Sequence, residues 1–173
     1  MYLRDISNFE NVSDYLPILN GALITDIIVR LLALSGYIKS DTLTLWYKSL
    51  GLSAVLADVL VIVIVLIIAR WLYNMFFKSY SLFSFILVAL GVQLTHDLLF
   101  GKMIEYVPDK KSHIFNIFKQ YAHEHGSRIL LADALMVIST IILGSLLAAH
   151  DLNINIIIII FMVYHVPYLV HSF

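Results

Sequence analysis

The chain alternates long apolar runs with short polar breaks, and five runs stand out. The first, about Tyr15 to Tyr37, is interrupted by Pro17, Asn20, Asp26 and Arg30. The second, about Gly51 to Phe77, is the most uniformly apolar, and "KSY" separates it from the third, about Ser81 to Tyr106. The fourth covers about Gly126 to Ala149, and "HDLN" leads into a fifth that ends at Phe173. A helix rising 1.5 Å per residue needs roughly 20 residues to cross about 30 Å of hydrocarbon. The pattern therefore predicts an all-α, polytopic transmembrane helix bundle of about five spans, entered through a polar segment over residues 1–14.

Two polar connections fall on one side of these spans: "KSDTLTLWYKSL" (Lys39 to Leu50) and "PDKKSHIFNIFKQYAHEH" (Pro108 to His125). In the longer one Ile114, Phe115, Ile117, Phe118 and Tyr121 recur at helical spacing, with Lys111, Lys119 and Glu124 between them. That spacing predicts an amphipathic helix at the membrane surface. Trp46, Phe115, Phe118, Tyr121, Lys111 and Lys119 are its expected interfacial residues, aromatic and basic as headgroup-level positions usually are.

Composition agrees with the pattern. Hydrophobic residues make up 61% of the 173, and charged residues only 13%. Soluble domains hold roughly 45–50% apolar and about 25% charged residues. A formal net charge of −1 gives no electrostatic reason for nucleic-acid binding, and the absence of cysteine excludes disulfides and Cys-ligated metals. The opening "MYLRDISNFENVSDYL" lacks a basic region followed by an apolar core, so the first span is expected to direct insertion. Lys39, Lys48, Lys102, Lys110, Lys111, Lys119 and Arg128 flank the loop side, against Arg4, Arg70 and Lys78 on the other. The positive-inside bias then places both loops and the C-terminus in the cytoplasm and the N-terminus outside.

One sequence echo organises the chain. "AVLADVLVIVIVL" and "RILLADALMVIST" carry Leu-Ala-Asp in the same register, Asp58 against Asp133. At that offset Gly51 meets Gly126, Trp46 meets Tyr121, and Leu60 meets Leu135. The preceding spans also align, "LITDIIV" over "LTHDLLF", which sets Asp26 against Asp97. This predicts a tandem repeat of a two-span unit: residues 15–78, residues 79–150, and a fifth span over 151–173. A two-span unit returns the chain to its starting side, so the copies are expected to be parallel, related about the membrane normal.

A carboxylate at the centre of a membrane span costs roughly 2.5–3.5 kcal/mol on insertion scales. Asp58 and Asp133 each follow a glycine by about 10 Å of helix, and Asp26 and Asp97 reach a similar depth from the opposite direction. All four are therefore candidates for a polar core or ion-binding site in the loop-side third of the bundle. Arg30, one turn after Asp26, is its expected partner. His96, His165, Gln93, Thr25 and Thr95 are further members at that depth. The alternative for Asp58, Asp97 and Asp133 is an interfacial position, where an Asp serves as a helix cap. Asp26 has no such escape, because too few residues separate it from Leu16 for a complete span.

Other constellations are weaker. His96 and Asp97 project about 100° apart on a helix, which argues against a ready-made dyad. "HEH" (His123 to His125) reads as solvated surface rather than a metal site. No catalytic fingerprint of the G-x-S-x-G, HExxH, P-loop or dinucleotide type occurs.

The stretch "QLTHDLLF" followed by "FKQYAHEHGSRILLADALM", within Gln93 to Met136, resembles uncharacterised polytopic membrane proteins of large double-stranded DNA viruses. The resemblance covers about a quarter of the chain, contains no motif of known chemistry and transfers no residue roles. It implies a viral membrane setting, such as the lipid layer beneath a capsid.

The leading expectation is a non-enzymatic structural or assembly protein of a viral or host membrane. Its partners would be the lipid bilayer, further copies of itself, or other membrane or capsid proteins, with no cofactor. Two alternatives are a cation or proton channel or transporter using the intramembrane aspartates, with a cation bound among them, and a membrane enzyme holding a metal there.

Overall fold

In the computed structural model, residues 3–108 and 111–172 are described. Lys110, one of the basic loop residues, and Phe173, the expected end of the fifth span, lie outside them, as do Met1 and Tyr2. The described residues form seven α-helices and no strand. A 3-10 turn over Val12–Asp14 leads into α1 (Tyr15–Leu34), followed by α2 (Asp41–Leu50) and α3 (Leu52–Phe76). Then come α4 (Leu82–Tyr106), α5 (His113–His125), α6 (Arg128–Leu147) and α7 (Leu152–Val170). Five of these, all but α2 and α5, are long and apolar enough to cross a membrane. The chain is an all-helical integral membrane protein.

Local sequence sets the helix ends. Ser40, Ser81, Ser112 and Asp151 each stand in extended backbone and accept a hydrogen bond from the amide three residues on. Each satisfies a donor that the first helical turn would otherwise leave unpaired. Pro17 lies in the first turn of α1, where its missing N–H costs nothing. The connection between Lys39 and Leu50, read from sequence as a polar linker, is largely the helix α2. Leu43, Trp46, Tyr47 and Leu50 recur along it at i, i+3, i+4 and i+7, the spacing of one buried face.

The first span has the most polar interruptions, and it is the central helix. α1 packs against α3, α6 and α7. Of its membrane window 56% is buried, against 17% for α4 and for α7. Its polar side chains therefore face protein rather than lipid. Asn20 Nδ2 donates to Asn155 O at 2.9 Å, and Asn155 in turn donates to Leu147 O at 2.9 Å. Thr140 Oγ1 and Thr25 Oγ1 lie 3.4 Å apart. Such contacts tie membrane helices together where hydrocarbon offers no competing partner.

α1 and α6 approach most closely at Gly21 and Gly144. A Cβ built on Gly21 would fall 2.8 Å from Thr140 O and 2.9 Å from Gly144 N, inside van der Waals contact. Ile18 and Ile6 pack against Gly144 at this crossing, and both are fully buried.

At the end opposite α2 and α5, residues 3–14 fold back over the bundle. Arg70, near the end of α3, is fully buried and donates through Nη2 to Asn11 O at 2.8 Å and also to Asn8 O. Its Nη2 lies 3.5 Å from buried Asp14 Oδ2, and its guanidinium covers the Tyr15 ring at 4.5 Å. Arg4 donates to Ala148 O at 2.8 Å, and Ile6 is buried against Gly144. The polar N-terminal segment is thus a plug stitched to the ends of α3 and α6.

The two interfacial helices lie side by side at the other end. Gly51 ends α2 with φ +56° and ψ −128°, and Gly126 ends α5 with φ +54° and ψ −130°. Positive φ is the region where a Cβ is penalised and glycine is not. Each glycine amide closes its helix with a 2.9 Å bond, to Tyr47 O and to Ala122 O respectively. Both bends then feed directly into a spanning helix.

Candidate functional site

The polar site lies beneath α2 and α5, where α1, α3, α4 and α6 each contribute one aspartate. Asp26, on central α1, is fully buried. Its Oδ1 accepts a hydrogen bond from Tyr47 Oη on α2 at 2.9 Å. One residue earlier on α2, buried Trp46 donates from Nε1 to Asp58 Oδ2 on α3, also at 2.9 Å. Consecutive aromatic side chains of an interfacial helix thus bind two intramembrane carboxylates. Burial, then the charges of Asp26 and Asp58, push the Tyr47 phenol far above its ordinary range, so it stays protonated and remains a donor.

The expected Asp26–Arg30 pair is replaced by a three-part stack. Arg30 donates from Nε to Leu169 O at 3.2 Å and from Nη2 to Ser172 O at 2.6 Å, securing the end of α7. Its guanidinium lies over the Tyr47 ring at 4.9 Å. Leu169 lies in the last turn of α7, where carbonyls lack helical partners, and the planar guanidinium serves its oxygen together with that of Ser172 just past the helix. Tyr47 therefore stands between the acid and the base that sequence spacing pairs directly.

Asp97 and Asp133 occupy the α4–α6 side. Gln93 Nε2 donates to Asp97 Oδ1 at 2.7 Å, and His96 Nδ1 lies 3.1 Å from the same oxygen. Neighbouring side chains on a helix diverge, yet His96 bends back to Asp97 while its ring stacks on Phe100 at 5.7 Å. The four carboxylates interact electrostatically in series: Asp26 with Asp58, Asp58 with Asp133, and Asp133 with Asp97. Tyr121 on α5 overlies the middle of that series. Burial and then the charges of Asp133, Asp58 and Glu124 push its phenol up to about 12.

Other expected members go elsewhere. Thr25 is buried but meets Thr140 of α6. Thr95 is exposed and donates to Gly91 O of its own helix at 2.8 Å. His165 is tied to α7 through Phe161 O at 2.7 Å, with its ring against Phe161 and Tyr164. Both side chains satisfy themselves on their own helix, a local option that similarity of depth does not reveal.

The expected interfacial aromatics divide between lid and surface. Trp46 and Phe118 pack with ring centroids 4.7 Å apart, and Phe100 meets Phe118 at 5.2 Å and Phe115 at 6.2 Å. Such pairs contribute about 0.5–1.5 kcal/mol each beyond area burial. Lys119 donates to Val107 O at 2.7 Å, while Lys111 is exposed. Sequence reasoning missed Tyr47 and the latch between the two interfacial helices. In that latch Glu124 Oε2 of α5 accepts from Thr42 N at 3.1 Å and from Thr42 Oγ1, and His125 Nε2 lies 2.7 Å from Ser40 Oγ. Glu124 thereby caps α2 from a different helix.

Among the described residues no three His, Cys, Asp or Glu side chains converge as metal ligands. Comparison with protein-family models, curated proteins and solved structures returned no significant match. The fold and site define a five-span membrane protein with a carboxylate-bearing interior under a helical lid.

Proposed function

We propose that this chain is a non-enzymatic structural or assembly component of a viral or host membrane, in which the aspartates anchor the interfacial helices. The observation that carries this reading is the pair of bonds from Trp46 to Asp58 and from Tyr47 to Asp26. An intramembrane carboxylate is expensive, and here two of them dock a surface helix onto the bundle. The lid faces the cytoplasm, following the basic residues around it, with the N-terminal plug outside. The lid presents Lys48, Lys111 and other exposed polar groups to the membrane surface and to partner copies, membrane proteins or capsid proteins.

The chain also reads as an internal duplication of a span–interfacial helix–span unit. Its support is the near-identical backbone at Gly51 and Gly126 and the serine caps at Ser40 and Ser112. A second reading, a cation or proton route, is favoured by the placement of one aspartate on each of α1, α3, α4 and α6.

Reconstituted vesicles separate the two. The structural reading expects no ion or proton flux under any imposed gradient, and loss of lid protection in hydrogen exchange when Asp58 is changed to Leu. Flux that disappears in Asp133→Asn while the fold survives would replace it with the transport reading. Cytoplasm-only reporters on each terminus should signal from the C-terminal fusion alone.

A further inference from the structure

Between α4 and α6 lies a cavity of about 190 Å³ lined by Leu90, Gln93, Leu94, Asp97, Leu130 and Ala134. Its walls are mainly aliphatic, and its two polar lining residues each carry one acceptor without a partner. Gln93 is 95% buried by its 5% exposure, and its Oε1 accepts no hydrogen bond from the described residues. Asp97 Oδ2 is likewise buried without a partner, because Gln93 and His96 both engage Oδ1. Unpaired buried acceptors of this kind are costly, more so when charged. Asp133, one residue before Ala134, adds a second carboxylate within electrostatic reach of Asp97.

These features define the chemistry of an occupant. It must donate at least two hydrogen bonds, to Gln93 Oε1 and Asp97 Oδ2. It must carry positive charge to match the carboxylate, and tolerate an aliphatic wall. A divalent metal fits poorly, since hard cations take six or more oxygen ligands and no three acidic or imidazole ligands converge among the described residues. An ammonium group has three donors and one charge, and an alkyl stem suits the leucines. Leu94 at the cavity is half exposed, so entry is from the flank of the bundle between two spans.

We propose that the α4–α6 cavity is a binding site for a primary alkylammonium group, held by Gln93 Oε1 and Asp97 Oδ2. The group comes either from a free amine or from an aminolipid headgroup. This site is independent of the structural role given to Asp26 and Asp58, which lie on α1 and α3.

The test uses the full chain in phosphatidylcholine nanodiscs at constant ionic strength, with n-butylammonium as the probe and tetramethylammonium, which has no donor, as control. Butylammonium should raise Tm saturably, and tetramethylammonium should not. Asp97→Asn, which keeps an acceptor for Gln93, should weaken butylammonium binding at least tenfold by isothermal titration. Gln93→Leu, which also fills the cavity, should abolish it. If Asp97→Asn fails to fold, the wild-type cation comparison and Gln93→Leu still decide. Equal responses to the two cations, or unaltered binding in Gln93→Leu, would overturn the site. So would wild-type indifference to butylammonium. Nanodiscs containing phosphatidylethanolamine distinguish the sources: competition with butylammonium assigns the site to lipid, and undiminished binding assigns it to free amines.

Discussion

Tyr47 Oη donates a 2.9 Å hydrogen bond to Asp26 Oδ1, and the Tyr47 ring carries the Arg30 guanidinium on its face at 4.9 Å. One side chain of an interfacial helix thus organises the acid and the base of the central span. Asp26→Asn retains an acceptor and should change stability by less than about 1 kcal/mol. Tyr47→Phe leaves a buried acceptor unpaired and should cost about 1–3 kcal/mol. Asp26→Leu strands the phenol instead, while Arg30 keeps the Leu169 and Ser172 carbonyls. The Asp26→Leu and Tyr47→Phe costs should therefore be strongly non-additive in a double-mutant cycle of detergent unfolding. Simple additivity would show that the bond contributes nothing.

The α1–α6 crossing depends on the absence of a side chain at Gly21. Gly21→Ala puts a methyl 2.8 Å from Thr140 O, a backbone atom that cannot rotate away. The helices must separate, at a cost in the range of about 1–3 kcal/mol typical of overpacking. Gly91→Ala is the matched control, because nothing lies within 4 Å of a Cβ there. Thermal unfolding in the same detergent should show a clear drop for the first and little for the second.

Arg70 secures the N-terminal plug. Arg70→Met removes the buried cation beside fully buried Asp14, which keeps Arg4 and Asn11, and the donor to the Asn8 and Asn11 carbonyls. Breaking a buried pair from one side costs up to about 3–5 kcal/mol, and the remaining Arg4 and Asn11 contacts should keep the cost below that range. Limited proteolysis should then cut within residues 3–14, a segment that the wild type protects. Unchanged protection would mean that Ile6 and Arg4 hold the plug without it.

The lid latch is expected to be pH-dependent through Glu124. The hydrogen bond from the Thr42 hydroxyl is the main cause that holds the Glu124 carboxyl below its ordinary value of 4.5, with the Thr42 amide, Ser40 and His125 contributing in the same direction. A depressed folded-state pKa gives stabilisation that is present above the ordinary value and lost as pH falls through the folded one. The protection factors of the Thr42 and Leu43 amides, corrected for intrinsic exchange, should fall below about pH 4.5 in the wild type. Glu124→Gln should remove that loss and leave the protection factors of both amides unchanged across the same range.

The sequence by itself determined that this is a helical membrane protein and where each span lies. Apolar runs of spanning length and serine or aspartate caps are local properties, and α3 and α4 begin and end within a residue or so of the runs that foretold them. The cost of burying charge also made Asp26 an interior residue in advance. What only the tertiary structure decided is which polar groups meet. The most interrupted span became the central helix because its Asn, Thr, Asp and Arg side chains find partners on three neighbouring helices, α2, α6 and α7, and hydropathy counts residues without knowing their neighbours. Arg30 shares a helix face with Asp26, yet it serves carbonyls 139 and 142 positions away. Thr95 and His165 had the right depth and turned to their own backbones. Tyr47 stayed invisible because its role comes from α2 folding back onto α1. A hydrogen bond across 21 residues depends on how helices dock, and helix docking is fixed by the packing of all seven.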